Sequence, residues 1–289
     1  MLLMQKIITN DGSVTFYNEQ FDDIYHSKSG AYEESLHKFV MPCRELFVKN
    51  ELFVLDICFG LGYNSSVLLD EVIKINPFCK IHIVGLENDK KIIEKINEVD
   101  FKSGSYLIIK EAAKGSVPKV TSIKSKCYNS EEASALRGGA PYGNAAHSII
   151  CSEHFEAGDS SDNEIWDRAT AKEKSKEKFY DRTNINYNKN NIKSNIKIKL
   201  LIGDARKTIK ELKYQFDIVF LDPFAPKKCP ELWTNEFIFD IANLMTTGGI
   251  LTTYSCARNV RENLESAGLK VFDGPCIGRR APSTIARKD

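Results

Sequence analysis

The sequence has no Cys-x-x-Cys pair, no cluster among its five histidines and no apolar run of membrane-spanning length. The first two absences exclude the usual structural zinc arrangements. The third excludes a transmembrane helix, and the reading is a chain with no membrane partner. The eight cysteines, at 43, 58, 79, 127, 151, 229, 256 and 276, are scattered, and some (Cys58, Cys256) lie in apolar strand contexts. That pattern fits reduced, partly buried thiols in a cytoplasmic protein. The opening Met1-Leu2-Leu3-Met4-Gln5-Lys6 carries no signal-peptide core. Neither sign of charge is in excess: 40 Lys and Arg against 39 Asp and Glu leave a formal +1. Such a balance does not announce a nucleic-acid binder, yet it permits a local basic patch offset elsewhere. What is present is 289 residues, 42% of them hydrophobic, enough for one large α/β domain with additions or for two small domains.

Segments 6–9 and 13–17 flank Asn10-Asp11-Gly12, a short hairpin signal. A helical stretch follows from Ala31 to about Leu46, so residues 1–46 read as a hairpin-and-helix extension. Strands are expected near 52–58, 81–86, 198–202, 216–221, 249–255, 269–272 and 283–287, with helices near 64–75, 89–99, 205–212, 232–244 and 258–267. Their alternation predicts a mostly parallel, doubly wound α/β sheet over 47–289. The last two strands, with Gly274-Pro275 between them, predict an antiparallel hairpin at its edge. Segment 112–196 interrupts the domain. Its second half is polar and rich in Lys and Asn without apolar periodicity, which predicts a flexible insertion. Within it, Gly138-Gly139-Ala140-Pro141-Tyr142-Gly143 lacks the strand and the Lys-Ser/Thr of a phosphate loop and reads as a plain loop.

Four strand ends carry chemistry. The run 52–57 ends in Cys58-Phe59-Gly60-Leu61-Gly62, followed by a helical pattern at Val67, Leu68, Leu69, Val72 and Ile73. Glycines there let a ligand approach the backbone, and the helix start presents unpaired N–H groups. Glu87 ends the next strand, where an acid can accept from both hydroxyls of a ribose. Asp204 ends the third, placed to accept from an adenine amino group or to cap the helix that starts at Ala205. Asp222 ends the fourth and opens the stiff loop Pro223-Phe224-Ala225-Pro226. Carboxylates at one sheet edge, at the carboxyl ends of parallel strands, mark a ligand crevice. Together Gly60, Gly62, Glu87, Asp204 and Asp222 point to S-adenosylmethionine, with Asp222 facing the methyl group.

The same residues carry a family resemblance. Phe59-Gly60-Leu61-Gly62-Tyr63-Asn64 resembles the Phe-Gly-x-Gly-x-Asn turn of the methyltransferase half of the MnmC family, whose members modify the wobble uridine of tRNA. Asp222-x-Phe224-Ala225-Pro226-x-Lys228-x-Pro230-x-Leu232-Trp233-Thr234 resembles that family's signature after the fourth strand. The segment from Thr253 to Gly268, Gly278-Arg279-Arg280, and the lead-in from Tyr17 to Tyr25 with Glu33-Glu34-Ser35 match it as well. The resemblance covers about 1–100 and 197–289; segment 112–196 shows no clear match. Pro223 stands where the family usually has a small residue, and Asp56 where a Glu is common.

The resemblance implies a class I S-adenosylmethionine-dependent methyltransferase with a Rossmann-like, seven-stranded sheet. Its reaction would convert 5-aminomethyl-2-thiouridine at the tRNA wobble position to 5-methylaminomethyl-2-thiouridine. S-adenosylmethionine would be the methyl donor, with no metal and no FAD. The FAD-dependent oxidase half of the bifunctional enzymes has no counterpart in the sequence, so that step is expected from a separate protein. Asp222 is the implied catalytic residue, as hydrogen-bond acceptor or proton acceptor for the amine. Gly60, Gly62, Asn64, Glu87 and Asp204 are the implied cofactor residues. Phe224, Pro226 and Trp233 would wall the uridine, and Lys228, Arg279 and Arg280 would meet phosphates. Trp233 serves equally as a core anchor for the following helix, and each basic residue taken singly reads first as solvated surface. Rival readings are another amine or base methyltransferase, a polyamine synthase, a dinucleotide oxidoreductase and a non-catalytic RNA-binding relative. The synthase would want an acid within the glycine turn, and the oxidoreductase leaves Asp222-Pro223-Phe224 without a task.

Overall fold

The central strands of the main sheet are continuous apolar runs, and this dictates their place. Strand β7 (Phe216–Leu221) is buried at every position, and β4 (Glu51–Ile57) and β5 (Lys80–Glu87) over most of their length. Such strands need cover on both faces, as helices flanking a parallel sheet provide. By contrast β6 (Ile196–Ile202) begins with alternating Ile and Lys, buried and exposed in turn, and lies at an edge. With β8 (Met245–Thr253), β9 (Leu269–Asp273) and β10 (Thr284–Lys288) the seven-stranded order is β6-β5-β4-β7-β8-β10-β9. The pairs β4/β5, β4/β7, β5/β6 and β7/β8 are parallel. Strand β10 is antiparallel to both β8 and β9, so the expected edge hairpin is present, with β10 inserted between β8 and β9.

This computed structural model describes residues 4–101, 103–115, 195–277 and 280–289. Among the described residues no helix is long and apolar enough to cross a membrane. Six cysteines among them, including Cys58 and Cys256, are free thiols. The insertion is expected at 112–196. Of it, residues 116–194, with Cys127, Cys151 and the Gly138–Gly143 loop, lie outside the described residues.

The helices are α1 (Ala31–Glu34), α2 (Tyr63–Ile75), α3 (Lys90–Lys95), α4 (Tyr106–Ala113), α5 (Ala205–Thr208), α6 (Asn235–Asn243) and α7 (Arg258–Ser266). The stretch expected as one helix from 31 to 46 is α1 followed by a widened π-type turn over Ser35–Val40 and a tight 3-10 segment over Met41–Val48. Pro42 accounts for the change, since it has no N–H to return to the carbonyl four residues earlier. Helix α4 was not expected. It buries Tyr106 and Ile109 beside α2, and the Tyr106 hydroxyl donates to the Leu61 carbonyl at 2.8 Å.

The N-terminal hairpin pairs β1 (Lys6–Ile8) with β2 (Val14–Asn18) in antiparallel register, and a short β3 (Asp23–Ile24) extends it to three strands. Asp11 in the turn accepts from the Ser13 N–H at 2.9 Å and from the Tyr32 and Glu33 N–H groups at 3.1 and 3.2 Å. One carboxylate thus closes the hairpin and caps α1, satisfying donors that the helix start leaves free. The Tyr63 hydroxyl accepts from the Val14 N–H at 3.0 Å and donates to the Val14 carbonyl at 2.9 Å. These bonds tie the small sheet to the first residue of α2, directly above the carboxyl end of the main sheet.

Candidate active site

Strand order reverses at β4. Strands β5 and β6 add on one side and β7 and β8 on the other, and at such a switch point the loops diverge and leave a crevice. The register aligns the two loops that flank it. Ile57 of β4 lies opposite Leu221 of β7, and the Asp222 N–H donates to the Ile57 carbonyl at 3.2 Å. On the other side Leu86 is opposite Ile57, and Glu87 is opposite Ile202. The four motifs read from the sequence therefore meet at one edge. A cleft of about 690 Å³ opens there, lined by Gly60, Glu87, Asp204, Asp222 and Phe224 among others.

The glycine turn divides in two. Gly60 lines the cleft at φ 55°, and a side chain there would meet nothing nearer than 3.7 Å, so backbone conformation and access rather than packing explain the glycine. Gly62, at φ 76°, caps α2, and a Cβ on it would come within 2.7 Å of Ile109 and 2.8 Å of the Phe59 ring. Its role is the turn and the packing beneath it, and it is not among the cleft-lining residues.

Glu87 is 7% exposed. Its Oε2 accepts from the Gly60 N–H, and its Oε1 from the Asn88 and Asp89 N–H groups, each at 2.8 Å. Burial pushes the carboxyl up, and the three N–H groups pull against that shift. With three acceptor positions used, Oε2 keeps about one for a ligand hydroxyl. This buried, preoriented acceptor in the cleft wall, beside an open Gly60, fits a ribose-bearing donor such as S-adenosylmethionine. Asp204 lines the cleft and also caps α5, accepting from the Arg206 N–H at 3.0 Å. The Arg206 guanidinium grips the same carboxylate at 2.7 to 3.2 Å and holds it below its usual range. An adenine amino group would share this acceptor with Arg206.

Asp222 is half-buried at the cleft wall. Burial pushes its carboxyl well up; the like charge of Glu34 adds to this, and a hydrogen bond from Asn64 opposes it. That bond corrects one expectation. The Asn64 amide donates to Asp222 Oδ2 at 2.9 Å, and Asn64 is buried and not among the cleft-lining residues. It orients Asp222 from α2 rather than holding the cofactor.

The loop after β7 is fixed from below. Trp233 is 2% exposed, and its indole N–H donates to the Phe224 carbonyl at 2.9 Å. Of the two readings of Trp233, the structure shows the core anchor: the indole is buried and holds Phe224 rather than walling the cleft. Pro226 is not among the cleft-lining residues either. The Lys228 ammonium donates to the Asp22 carbonyl at 2.6 Å and pairs with Asp23 at 3.1 Å, so it is engaged with the N-terminal extension and not free for a phosphate. Arg280 is exposed, and Arg279 lies outside the described residues.

The N-terminal side of the cleft is supplied by residues to which the motifs attach no role. Phe21 stacks on Phe224 with ring centroids 4.5 Å apart, and Tyr25 tilts against the same ring at 5.3 Å. Tyr25 donates to Asp89 at 2.8 Å and accepts from Asn18 at 2.8 Å. Across the cleft, the Tyr254 hydroxyl donates to the Pro223 carbonyl at 2.9 Å. The available signal was the lead-in from Tyr17 to Tyr25, which matched the family without saying what it touches.

A family model described as S-adenosyl-L-methionine-dependent methyltransferase matches residues 168–289. An uncharacterised protein of Methanocaldococcus jannaschii is 26% identical over 282 residues, which is 97% of this chain and 58% of that protein. The tRNA 5-methylaminomethyl-2-thiouridine biosynthesis bifunctional protein MnmC of Leptospira interrogans is 23% identical over 285 residues, 96% of this chain and 34% of that protein. The chain therefore spans between a third and three-fifths of these relatives' lengths. Among solved structures, MnmC2 from Aquifex aeolicus is 25% identical with a TM-score of 0.60, covering 99% of this chain and 71% of that one. In fold the chain is a class I S-adenosylmethionine-dependent methyltransferase, and in sequence it resembles the methyltransferase part of the MnmC proteins over nearly its whole length.

Proposed function

We propose that the protein methylates the amine of 5-aminomethyl-2-thiouridine at the wobble position of tRNA, giving 5-methylaminomethyl-2-thiouridine. The observation that carries this reading is Asp222, a carboxylate at the switch point, oriented by Asn64 and placed in the same cleft as Gly60 and Glu87. Gly60, Glu87 and Asp204 are the residues to hold S-adenosylmethionine. When bound, it supplies an electrophilic methyl group on a sulfonium. A primary amine is mostly an ammonium at neutral pH and must lose a proton before its lone pair can react. Asp222 accepts a hydrogen bond from that nitrogen, aims the lone pair and takes the proton, for which a raised carboxyl is suited. Most of the remaining acceleration is positional. The ring pair Phe21 and Phe224 offers an apolar wall for a base turned out of the anticodon stack.

The test is methyl transfer from labelled S-adenosylmethionine to tRNA carrying 5-aminomethyl-2-thiouridine, with nucleosides read by mass spectrometry. One added methyl on that nucleoside is expected. Label on another nucleoside would move the substrate and leave the donor reading in place.

A further inference from the structure

One buried ion pair in the cleft has no role in this scheme. Lys38, in the π-type turn, is 4% exposed. Its ammonium donates to Glu34 Oε1 at 2.7 Å, with side chains 5% and 14% exposed. Glu34 Oε2 in turn accepts from the Ser27 N–H at 3.2 Å. Both side chains line the same cleft as Asp222. Taking two charges out of water is costly, and replacing such a pair by apolar residues is often neutral or stabilising. Stability alone is thus a weak reason for an ion pair at this position.

We propose that the Glu34–Lys38 pair is a positioning pair for Asp222, setting the charge that the acceptor end of the cleft presents. The proposal rests on the amine-methylating reading given above. Glu34 is the like charge acting most strongly on Asp222. Lys38 holds Glu34 in place and only partly cancels it. The other ionisable groups bearing on Asp222 are few. Asp56, beneath it on β4, adds in the same sense as Glu34. Cys58 and Tyr254 are both pushed up by burial and face Asp222 as neutral groups. His26, behind Glu34, is pushed down to about 4 by burial and is neutral near pH 7. Near neutral pH, whenever Asp222 is ionised, the acceptor end therefore carries Glu34 and Asp222, with Asp56 beneath them in part ionised, against the single Lys38 ammonium. Such a site favours a cationic primary amine over a neutral nucleophile and makes Asp222 a better acceptor for the proton that amine releases.

Two readouts on Glu34→Gln test this, one of them independent of turnover. With ¹³C-carboxyl-labelled aspartate, the Asp222 signal is assigned by its loss in Asp222→Asn, and its titration is followed by NMR. The expected result is a midpoint that moves to lower pH in Glu34→Gln. The acid limb of kcat/KM should move the same way, with S-adenosylmethionine affinity unchanged. An unmoved Asp222 midpoint would overturn the proposal, even if activity fell. Because Lys38 then stands unpaired, Glu34→Gln/Lys38→Met is measured beside it. The midpoint should fall there too, because the Glu34 contribution exceeds that of Lys38. Failure of the amine reading itself would show separately, as a wild-type protein that methylates no amine at any pH.

Discussion

Asp56 is a fully buried acid whose titration the fold should control. It is 0% exposed beneath the glycine turn; Oδ2 accepts from the Ser65 hydroxyl at 2.6 Å, and Oδ1 has no partner among the described residues. Burial raises its carboxyl from 3.8 to about 7. A carboxyl raised on folding stabilises the fold fully below its unfolded value and loses that contribution as pH rises through the folded one. Between 3.8 and about 7 the Asp56 contribution should therefore decline, each unit of difference being worth about 1.4 kcal/mol. Asp56→Asn removes the titration. Denaturant unfolding of wild type from pH 5 to pH 8 should show falling stability, and the variant a shallower fall. The slope will not vanish, since Glu87 and Asp222 shift in the same direction. Asn64 makes the companion case for geometry. Asn64→Ala frees Asp222 Oδ2, and the expected outcome is kcat lowered by about tenfold or more with donor affinity retained, read by single-turnover kinetics beside equilibrium binding.

At the scale of elements, the glycine turn is where backbone and site are joined. Gly62→Ala would force a side chain into a left-handed conformation and against Ile109 and Phe59. The conformational part alone costs about 1–2 kcal/mol, so thermal unfolding should fall by several degrees. The turn was legible because strand, glycines and helix follow one another in sequence. The site contributed by the first forty residues was not. Phe21, Tyr25, Glu34 and Lys38 reach the cleft only because Tyr63 and Asp11 fasten the small sheet and α1 over the carboxyl end of the large one, a tertiary placement that no local pattern encodes. Asn64 donates to Asp222 rather than lining the cleft, and Trp233 takes the core-anchor role, one of the two its place in the motif allows. Motif spacing tells which residues sit together, and not whether a side chain points at a ligand or at the residue that does. Helix α4 is short, and its apolar residues form a nearly continuous run, with Leu107 facing solvent, rather than a one-sided stripe, so periodicity does not mark it as a helix.

Across the whole molecule, the division of the chain into strands and helices was readable, since buried parallel strands announce themselves as apolar runs. All seven strands of the large sheet stand near their expected positions, and the antiparallel edge follows from the connection over 274–283, opened by Gly274-Pro275 and too short for a crossover helix. Sheet order does more than hold the fold together. Placing β4 and β7 side by side brings Gly60 and Asp222 to opposite lips of one crevice, with Glu87 one strand further on. On the proposed reading, donor binding lies on the β4–β5 side and amine activation on the β7 side. The most direct test compares Glu87→Gln and Asp222→Asn in two assays on the same preparations: equilibrium binding of S-adenosylmethionine, and single-turnover transfer to tRNA bearing 5-aminomethyl-2-thiouridine. Glu87→Gln should bind the donor at least about tenfold more weakly, the loss of one charge-assisted hydrogen bond. Asp222→Asn should bind it as wild type does and transfer methyl orders of magnitude more slowly. An Asp222→Asn protein that transfers methyl at the wild-type rate would contradict the account.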